Sequence, residues 1–151
     1  MTLEKSIEDS IVNFLKDEIK TVEIEALNID IMTAIQKAKM QPNGLVLVST
    51  SDDQTNNDGN PHAYPLTWIA QDFVITILSN SRRDDEGSLD MHSKIRRTMI
   101  DFKWNYRYMT FKHQRFSPQK FPNSQEGVYI TELIYGIMIK FPADELMFDL
   151  E

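Results

Sequence analysis

The feature that most constrains the fold is a long stretch of β-branched and aromatic residues at positions 128–141. Gly127 and Pro142 mark its ends, as turn residues do at the ends of strands. One alternate set of its positions is nearly all apolar, and the other is apolar except mainly at Glu132 and Lys140. A strand with two apolar faces belongs inside a sheet and not at a wet edge. We therefore predict a central strand, with one face covered fully and the other only in part.

The rest of the chain alternates between helical and strand-like patterns. Apolar residues at helical spacing predict three helices, at 3–20, from Asn28 or Asp30 to Met40, and from Ser88 or Asp90 to about Phe102. Further strands are predicted at 21–27, 45–49, 66–78 and 106–116. The predicted inward face of the second helix comprises Ile31, Ala34, Ile35 and Ala38. This order predicts an α/β (α+β) fold, a mixed and largely antiparallel sheet flanked by about three helices.

The length of 151 residues suits one domain spanning 1–151. Residues 50–65 are dense in Ser, Asp, Asn, Gly and Pro, and we expect them to form a long mobile loop available for contacts. Residues 142–151 form an acidic C-terminal segment that also carries four large apolar side chains.

Composition excludes several classes of protein. The chain has no cysteine, which excludes disulfides, thiol catalysis and cysteine-ligated zinc. It has no apolar run of about 18 residues, so we expect no membrane partner, and its first residues are too acidic and polar for a signal peptide. A net charge of −7 argues against general or sequence-specific binding of nucleic acid.

No pattern of residues points to catalysis. His62, His92 and His113 are scattered and lack histidine partners at helical spacing, and no nucleophile-elbow or phosphate-loop motif occurs. The acids at 52–58 lack the order and the closing glutamate of a calcium loop. We therefore expect a non-enzymatic protein with no catalytic residue, cofactor or metal.

Charge is unevenly distributed along the chain. Residues 94–120 contain eight bases and one acid, whereas the remainder contains eight bases and 22 acids. Either these regions are two unrelated solvated surfaces, or they meet across a subunit boundary. For the second case the candidate interface residues are Arg82, Arg83, Arg96, Arg97, Arg107, Arg115, Asp144, Glu145 and Phe148.

Residues 106–116 interleave aromatic and basic side chains. This pattern is found in platforms that bind single-stranded nucleic acid. It is also found in strands whose aromatic rings face the core while their cations extend to water. The net acidity of the chain favours the second interpretation.

The order of elements also resembles a known family. An amphipathic helix precedes a short strand, and a second helix leads through Pro42-Asn-Gly44 into Leu45-Val-Leu-Val48. The strand 68–77 leads through a loop with Gly87 into a helix near Asp90. The long strand that ends in Lys140-Phe141 is preceded by Phe116, a proline-containing segment and Gly127. This arrangement is similar to that of the tail terminator proteins of tailed bacteriophages, including the Mu-like Gp37 group. The small-residue run expected before the apolar strand is replaced by Gln41-Pro-Asn-Gly, and no functional residue transfers by position.

The resemblance implies a structural virion protein. Such proteins form a homo-oligomeric ring, expected to be a hexamer, on the head-proximal end of the tail tube. The ring binds the tail tube protein, stops its growth, presents a surface to head-completion or connector proteins, and lets the genome pass through. It would assemble in the host cytoplasm and end in the tail or neck of the virion. The alternatives are a head–tail connector or neck protein, and a small cytoplasmic module that binds a small molecule or peptide.

Overall fold

A computed structural model describes residues 2–51, 67–122, 127–141 and 143–144. Within these residues the helices are α1 (Leu3–Glu18), α2 (Ile31–Met40) and α3 (Ser88–Met99). The strands are β1 (Glu23–Ala26), β2 (Leu45–Thr50), β3 (Thr67–Ser79), β4 (Lys103–Trp104), β5 (Arg107–Tyr108), β6 (Thr110–Phe116) and β7 (Tyr129–Phe141). Five strands form one sheet in the order β1-β2-β3-β7-β6, and β4 and β5 form a separate hairpin.

The main sheet is mixed. β1 lies parallel to β2, and every other pairing in the sheet is antiparallel. The predicted fold class, an α+β arrangement with a largely antiparallel sheet and three helices, is confirmed. As predicted, β7 lies inside the sheet and not at its edge, since it has β3 on one side and β6 on the other.

The β3–β7 ladder is longer than its neighbours. It runs from the pair Thr67–Phe141 to the pair Ser79–Tyr129, whereas β2 pairs only with residues 73–78 of β3. Residues 67–72 of β3 and their partners in β7 therefore extend beyond β2. Six strand residues span about 20 Å, which is the length of this projection.

The two faces of the sheet are covered differently. The face toward α1 and α3 carries the main core, to which β7 contributes Leu133, Tyr135, Ile137 and Ile139. On the opposite face, the buried residues of α2 form a second cluster at one end of the sheet. This cluster also contains Leu78 and Val128. The predicted partial cover of the second face of 128–141 is confirmed, because Val128, directly before β7, is fully buried while Met138 in β7 is 45% exposed.

Local signals set the starts of two helices. The Thr2 hydroxyl accepts a hydrogen bond from the Lys5 N–H at 3.2 Å, and the Asp30 carboxylate accepts one from the Thr33 N–H at 2.7 Å. Asp30 is therefore the cap of α2, one of the two predicted positions. The hydrogen bond from Thr33 favours the carboxylate and lowers the pKa of Asp30 from its ordinary value.

Some details differ from the predictions. Ile31 does not face the sheet: it lies in the first turn of α2 and is 43% exposed. Residues 106–116 are not one strand, because Tyr106 occupies the turn of the β4–β5 hairpin before β6 begins. Thr50, expected in the loop, ends β2.

The predicted mobile loop beyond Ser51 and the C-terminal segment beyond Asp144 lie outside the described residues. Among the helices of the described part, none is long and apolar enough to cross a membrane.

Candidate functional site

The projecting end of the β3–β7 ladder carries an open groove of about 580 Å³, on the sheet face opposite α1 and α3. Its floor comes from β3 and β7, and its wall from β5 and β6. Trp68 and Met138 on the floor are 51% and 45% exposed, and Tyr108 on the wall is 59% exposed. Large apolar side chains exposed side by side are typical of an interaction site. We call this feature the sheet groove.

Cations are placed against the aromatic rings of the sheet groove. The Arg107 guanidinium carbon lies 4.9 Å from the centre of the Trp68 ring, and the Lys140 ammonium lies 5.9 Å from it. The Lys103 ammonium lies 4.7 Å from the Tyr108 ring. These distances are within the range of cation–π attraction, so cations line the rim of the groove beside the exposed apolar side chains of its floor.

A tight hairpin turn positions Arg107. Asn105 and Tyr106 join β4 to β5 and have φ values of 51° and 64°. Positive φ at both central residues is what a two-residue type I′ turn requires, and asparagine tolerates it better than most residues. Tyr106 is 94% exposed at the tip. The turn therefore places Arg107 at the start of β5, beside the ladder.

Asp144 fixes the Arg107 side chain. The guanidinium donates two hydrogen bonds to the carboxylate, at 2.5 and 3.2 Å. The Lys140 N–H donates a third at 2.7 Å and the Asn105 side-chain amide a fourth at 3.0 Å. Burial acts to raise the pKa of Asp144, but the hydrogen bonds and the charge of Arg107 outweigh it, and the pKa lies below its ordinary value. Asp144 is therefore an anion at neutral pH.

A second ion pair crosses the floor of the sheet groove. The Lys112 ammonium lies 2.9 and 3.1 Å from the two oxygens of Asp72, a residue that is 6% exposed. Asp72 is on β3, opposite Gly136 on β7, and Lys112 lies in a bulge of β6 between Phe111 and His113. The pair thus links the two strands that flank β7.

Gly136 provides the room for this link. A Cβ atom at position 136 would lie 2.9 Å from the Asp72 Oδ1 and 3.0 Å from the Lys112 Cδ. Such contacts are shorter than van der Waals separations, so a side chain here would force the Asp72 carboxylate or the Lys112 side chain to shift.

We predict that Gly136→Ala destabilises the protein by about 1–2 kcal/mol, because the new methyl group overpacks the site and displaces the buried Asp72 carboxylate from its ion pair with the half-exposed Lys112. The cost should be much smaller in an Asp72→Ala background, where the crowded carboxylate is absent. Denaturant unfolding of the four chains of this double-mutant cycle measures the difference. Equal costs in both backgrounds would show that the ion pair is not what the glycine accommodates.

The predicted basic surface is partly neutralised within the chain. Four of its eight bases contact carboxylates of the same chain: Lys94 with Glu86, Arg107 with Asp144, Lys112 with Asp72, and Arg115 with Glu132. The other four, Arg96, Arg97, Lys103 and Lys120, have no carboxylate within 4.0 Å among the described residues. The positive surface open to a partner is therefore smaller than the sequence count indicates.

The predicted interface residues are spread over the molecule. Arg82 and Arg83 are exposed in the loop between β3 and α3. Arg96 and Arg97 lie in the last turn of α3, where cations complement the helix dipole. Arg115 is on β6, the outer strand of the sheet.

Arg107 and Asp144 alone among these residues are brought together in the described part of the chain, and they meet within one subunit. Glu145 and Phe148 lie outside the described residues. The subunit contacts predicted for all of these residues stay a prediction.

A smaller cleft of about 340 Å³ lies between α3 and β6. The Arg96 guanidinium lies 4.0 Å from the centre of the Phe111 ring there, and burial raises the pKa of Tyr135 despite the opposing charge of Arg96. The prediction that aromatic rings of 106–116 face the core is wrong for Tyr106 and Tyr108, which are exposed because they belong to the separate hairpin.

Sequence reasoning missed the residues that shape the sheet groove. Asp72 and Gly136 both carried a usable signal. Asp72 is a lone acid inside an apolar strand, and such a residue indicates a buried partner. Gly136 is an isolated glycine inside a strand pattern, and such a glycine indicates a close approach of another group.

Among the described residues, no group of three or more metal-ligating side chains is placed to hold an ion. No protein-family model matches the chain, and no curated protein matches it. One solved structure, of a protein from Akkermansia muciniphila, is similar over 89% of this chain and 73% of that chain, with 11% identity and a TM-score of 0.37. A similarity of this size carries no argument about function.

Proposed function

We propose that this protein is a structural subunit that assembles with copies of itself into a ring and terminates a phage tail tube. The observation that carries the self-assembly is the sheet groove, where Trp68, Tyr108 and Met138 are exposed together beside a basic rim. The assignment to a phage tail is supported by the resemblance in the order of elements.

The physical chemistry of the groove favours a protein partner. An exposed apolar floor gains free energy when a partner covers it, by about 25 cal/mol per Å² of apolar surface. Aromatic residues and arginine, which line this groove, are enriched where protein interfaces bind most strongly. A partner surface that differs from the groove makes a head-to-tail contact, and such contacts close into rings when the rotation allows it.

In this proposal the ring, expected to be a hexamer, binds the tail tube protein on one side and head-completion or connector proteins on the other. The genome passes through the centre. Assembly takes place in the host cytoplasm, and the finished ring lies in the tail or neck of the virion.

Mixing the purified chain with growing tail tubes tests the proposal. The tube protein should come from the phage or prophage genes that neighbour this gene. We expect negative-stain images to show a ring at one end of each tube and tube growth to stop. The variant Trp68→Ala should cap fewer tubes, and the control Met40→Ala, whose side chain is 84% exposed on α2, should cap as the parent does. Tubes that grow equally long with and without the protein would contradict the proposal.

The same experiment separates the related role of a head–tail connector or neck protein. Such a protein would form a ring without binding bare tubes, and would bind only tubes that already carry a terminator.

A second candidate is a module that binds a small molecule or peptide. The groove volume of about 580 Å³ favours it, since ligand pockets in proteins commonly range from about 300 to 1,000 Å³. This candidate predicts a monomer at every concentration in analytical ultracentrifugation. Reversible association that Trp68→Ala weakens would instead support the ring.

A further inference from the structure

A second exposed apolar surface lies at the other edge of the sheet, next to β1. Leu27 follows β1, and Ile31 and Met32 occupy the first turn of α2; they are 44%, 43% and 46% exposed. Residues 23–32 contain three carboxylates and no cation. We call this surface, comprising residues 23–32, the edge patch.

The edge patch and the sheet groove are far enough apart to contact different neighbours. The patch lies at β1, the first strand of the sheet, and the groove lies over β3, β7 and β6. β1 and β7 are three strand spacings apart, or about 14 Å. The buried residues of α2 are Ala34, Ile35 and Ala38, so its first turn presents Ile31 and Met32 outward.

The two surfaces are complementary in charge. The sheet groove and its rim carry four cations and two carboxylates, a net charge of +2, from Lys103, Arg107, Lys112, Lys140, Asp72 and Asp144. The edge patch carries three carboxylates, one of which, Glu25, is already paired with Lys37 at 2.7 Å. Each surface also offers exposed apolar side chains for the other to cover.

We infer that the sheet groove of one subunit receives the edge patch of the next copy. Like surfaces would repel, because groove against groove brings cations together and patch against patch brings carboxylates together. The contact is therefore head-to-tail, and the charges favour it over a face-to-face dimer. This inference rests on the proposed ring and names the surfaces that build it.

Disulfide trapping tests the contact directly, because the chain has no cysteine of its own. One chain carries Met138→Cys in the groove and another carries Met32→Cys in the patch. A second pair, Tyr108→Cys and Ile31→Cys, samples a different spot, since a disulfide forms only when the Cα atoms come within about 7 Å. We expect the mixed chains of at least one pair to give a covalent dimer under mild oxidation. Chains with Met40→Cys, at the far end of α2, should give none with Met138→Cys.

Other results would overturn the inference. Dimers from the Met138→Cys chain alone would mean that grooves face each other. Crosslinking of Met138→Cys to Phe148→Cys in place of Met32→Cys would mean that the acidic C-terminal segment fills the groove. No crosslink in either pair would mean that the two surfaces do not meet.

The outcomes also separate this inference from the proposed function. Capped tubes without the crosslink would support the tail terminator role and contradict the groove–patch contact. The crosslink without capped tubes would support the head-to-tail contact and contradict the proposed role at the tail tube.

Discussion

The variant Ile137→Asp should not fold. Ile137 is 3% exposed and lies on the core face of β7, between β3 and β6. A carboxylate there would be placed among the apolar side chains of the main core, and burying an unpaired charge opposes folding strongly. We expect a loss of about 4 kcal/mol or more, which is most of the stability of a domain at the lower end of the usual range of about 5–15 kcal/mol.

The adjacent position provides a matched control. Met138 points to the opposite face of the same strand and is 45% exposed, so Met138→Asp should melt close to the parent. Circular dichroism and thermal melts of the three chains measure the contrast. An Ile137→Asp chain with a melting temperature like that of Met138→Asp would mean that β7 is not in the core.

Replacing Arg107 with leucine should have the second largest effect. Asp144 has a side chain that is 6% exposed, and Arg107 donates two of its hydrogen bonds. Without the guanidinium, the donors that remain to this buried carboxylate among the described residues are the Lys140 N–H and the Asn105 amide. We expect Arg107→Leu to lower the free energy of unfolding at pH 7 by about 2–3 kcal/mol.

The effect should depend on pH in a defined direction. In the parent the pKa of Asp144 is lowered in the folded state. Its stabilising contribution is therefore fully present above the unfolded pKa of about 3.9 and is lost as the pH falls through the folded pKa. In Arg107→Leu the burial of Asp144 is no longer outweighed by the guanidinium. The difference in stability between parent and variant should thus shrink as the pH falls, first where Asp144 of the folded variant takes up a proton and then down to the lowered pKa of Asp144 in the parent.

Urea unfolding at several pH values measures this difference. The control is Arg107→Leu with Asp144→Asn, in which no carboxylate is left without its cation. The double variant should recover part of the loss at pH 7 and show a weaker dependence on pH. A constant difference between parent and Arg107→Leu from pH 7 down to pH 3 would argue that the ion pair does not stabilise the fold.

The sequence carried enough information to predict the helices, most of the strands and the position of β7 inside the sheet. The nearly continuous apolar pattern of 128–141 identified β7, because a strand that is apolar on both faces belongs inside a covered sheet. The helical spacing of Met91, Ile95 and Met99 identified α3 and its buried face. These signals are local, and periodicity records local geometry well.

The sheet groove and its ion pairs could not be predicted from the periodicity of the sequence. Arg107 and Asp144 are 37 residues apart, and Lys112 and Asp72 are 40 apart. Their meeting depends on strand order and register, which no single segment encodes. The break at Tyr106 was missed for a different reason, since a tyrosine with positive φ gives none of the glycine signals by which turns are usually recognised.

The long β3–β7 ladder also bears on how such a protein can change in evolution. Alternate positions in each strand serve different purposes: Phe73 and Ile137 support the core, while Trp68 and Met138 face outward. Substitutions at the exposed outward positions, such as Trp68 and Met138, can therefore change the surface of the groove while leaving stability nearly constant, whereas Asp72 and Gly136 on the same face are constrained by the ion pair. A single-residue insertion would instead exchange the two sets at once. Divergence along these strands should proceed by replacement at every second position, with length held fixed.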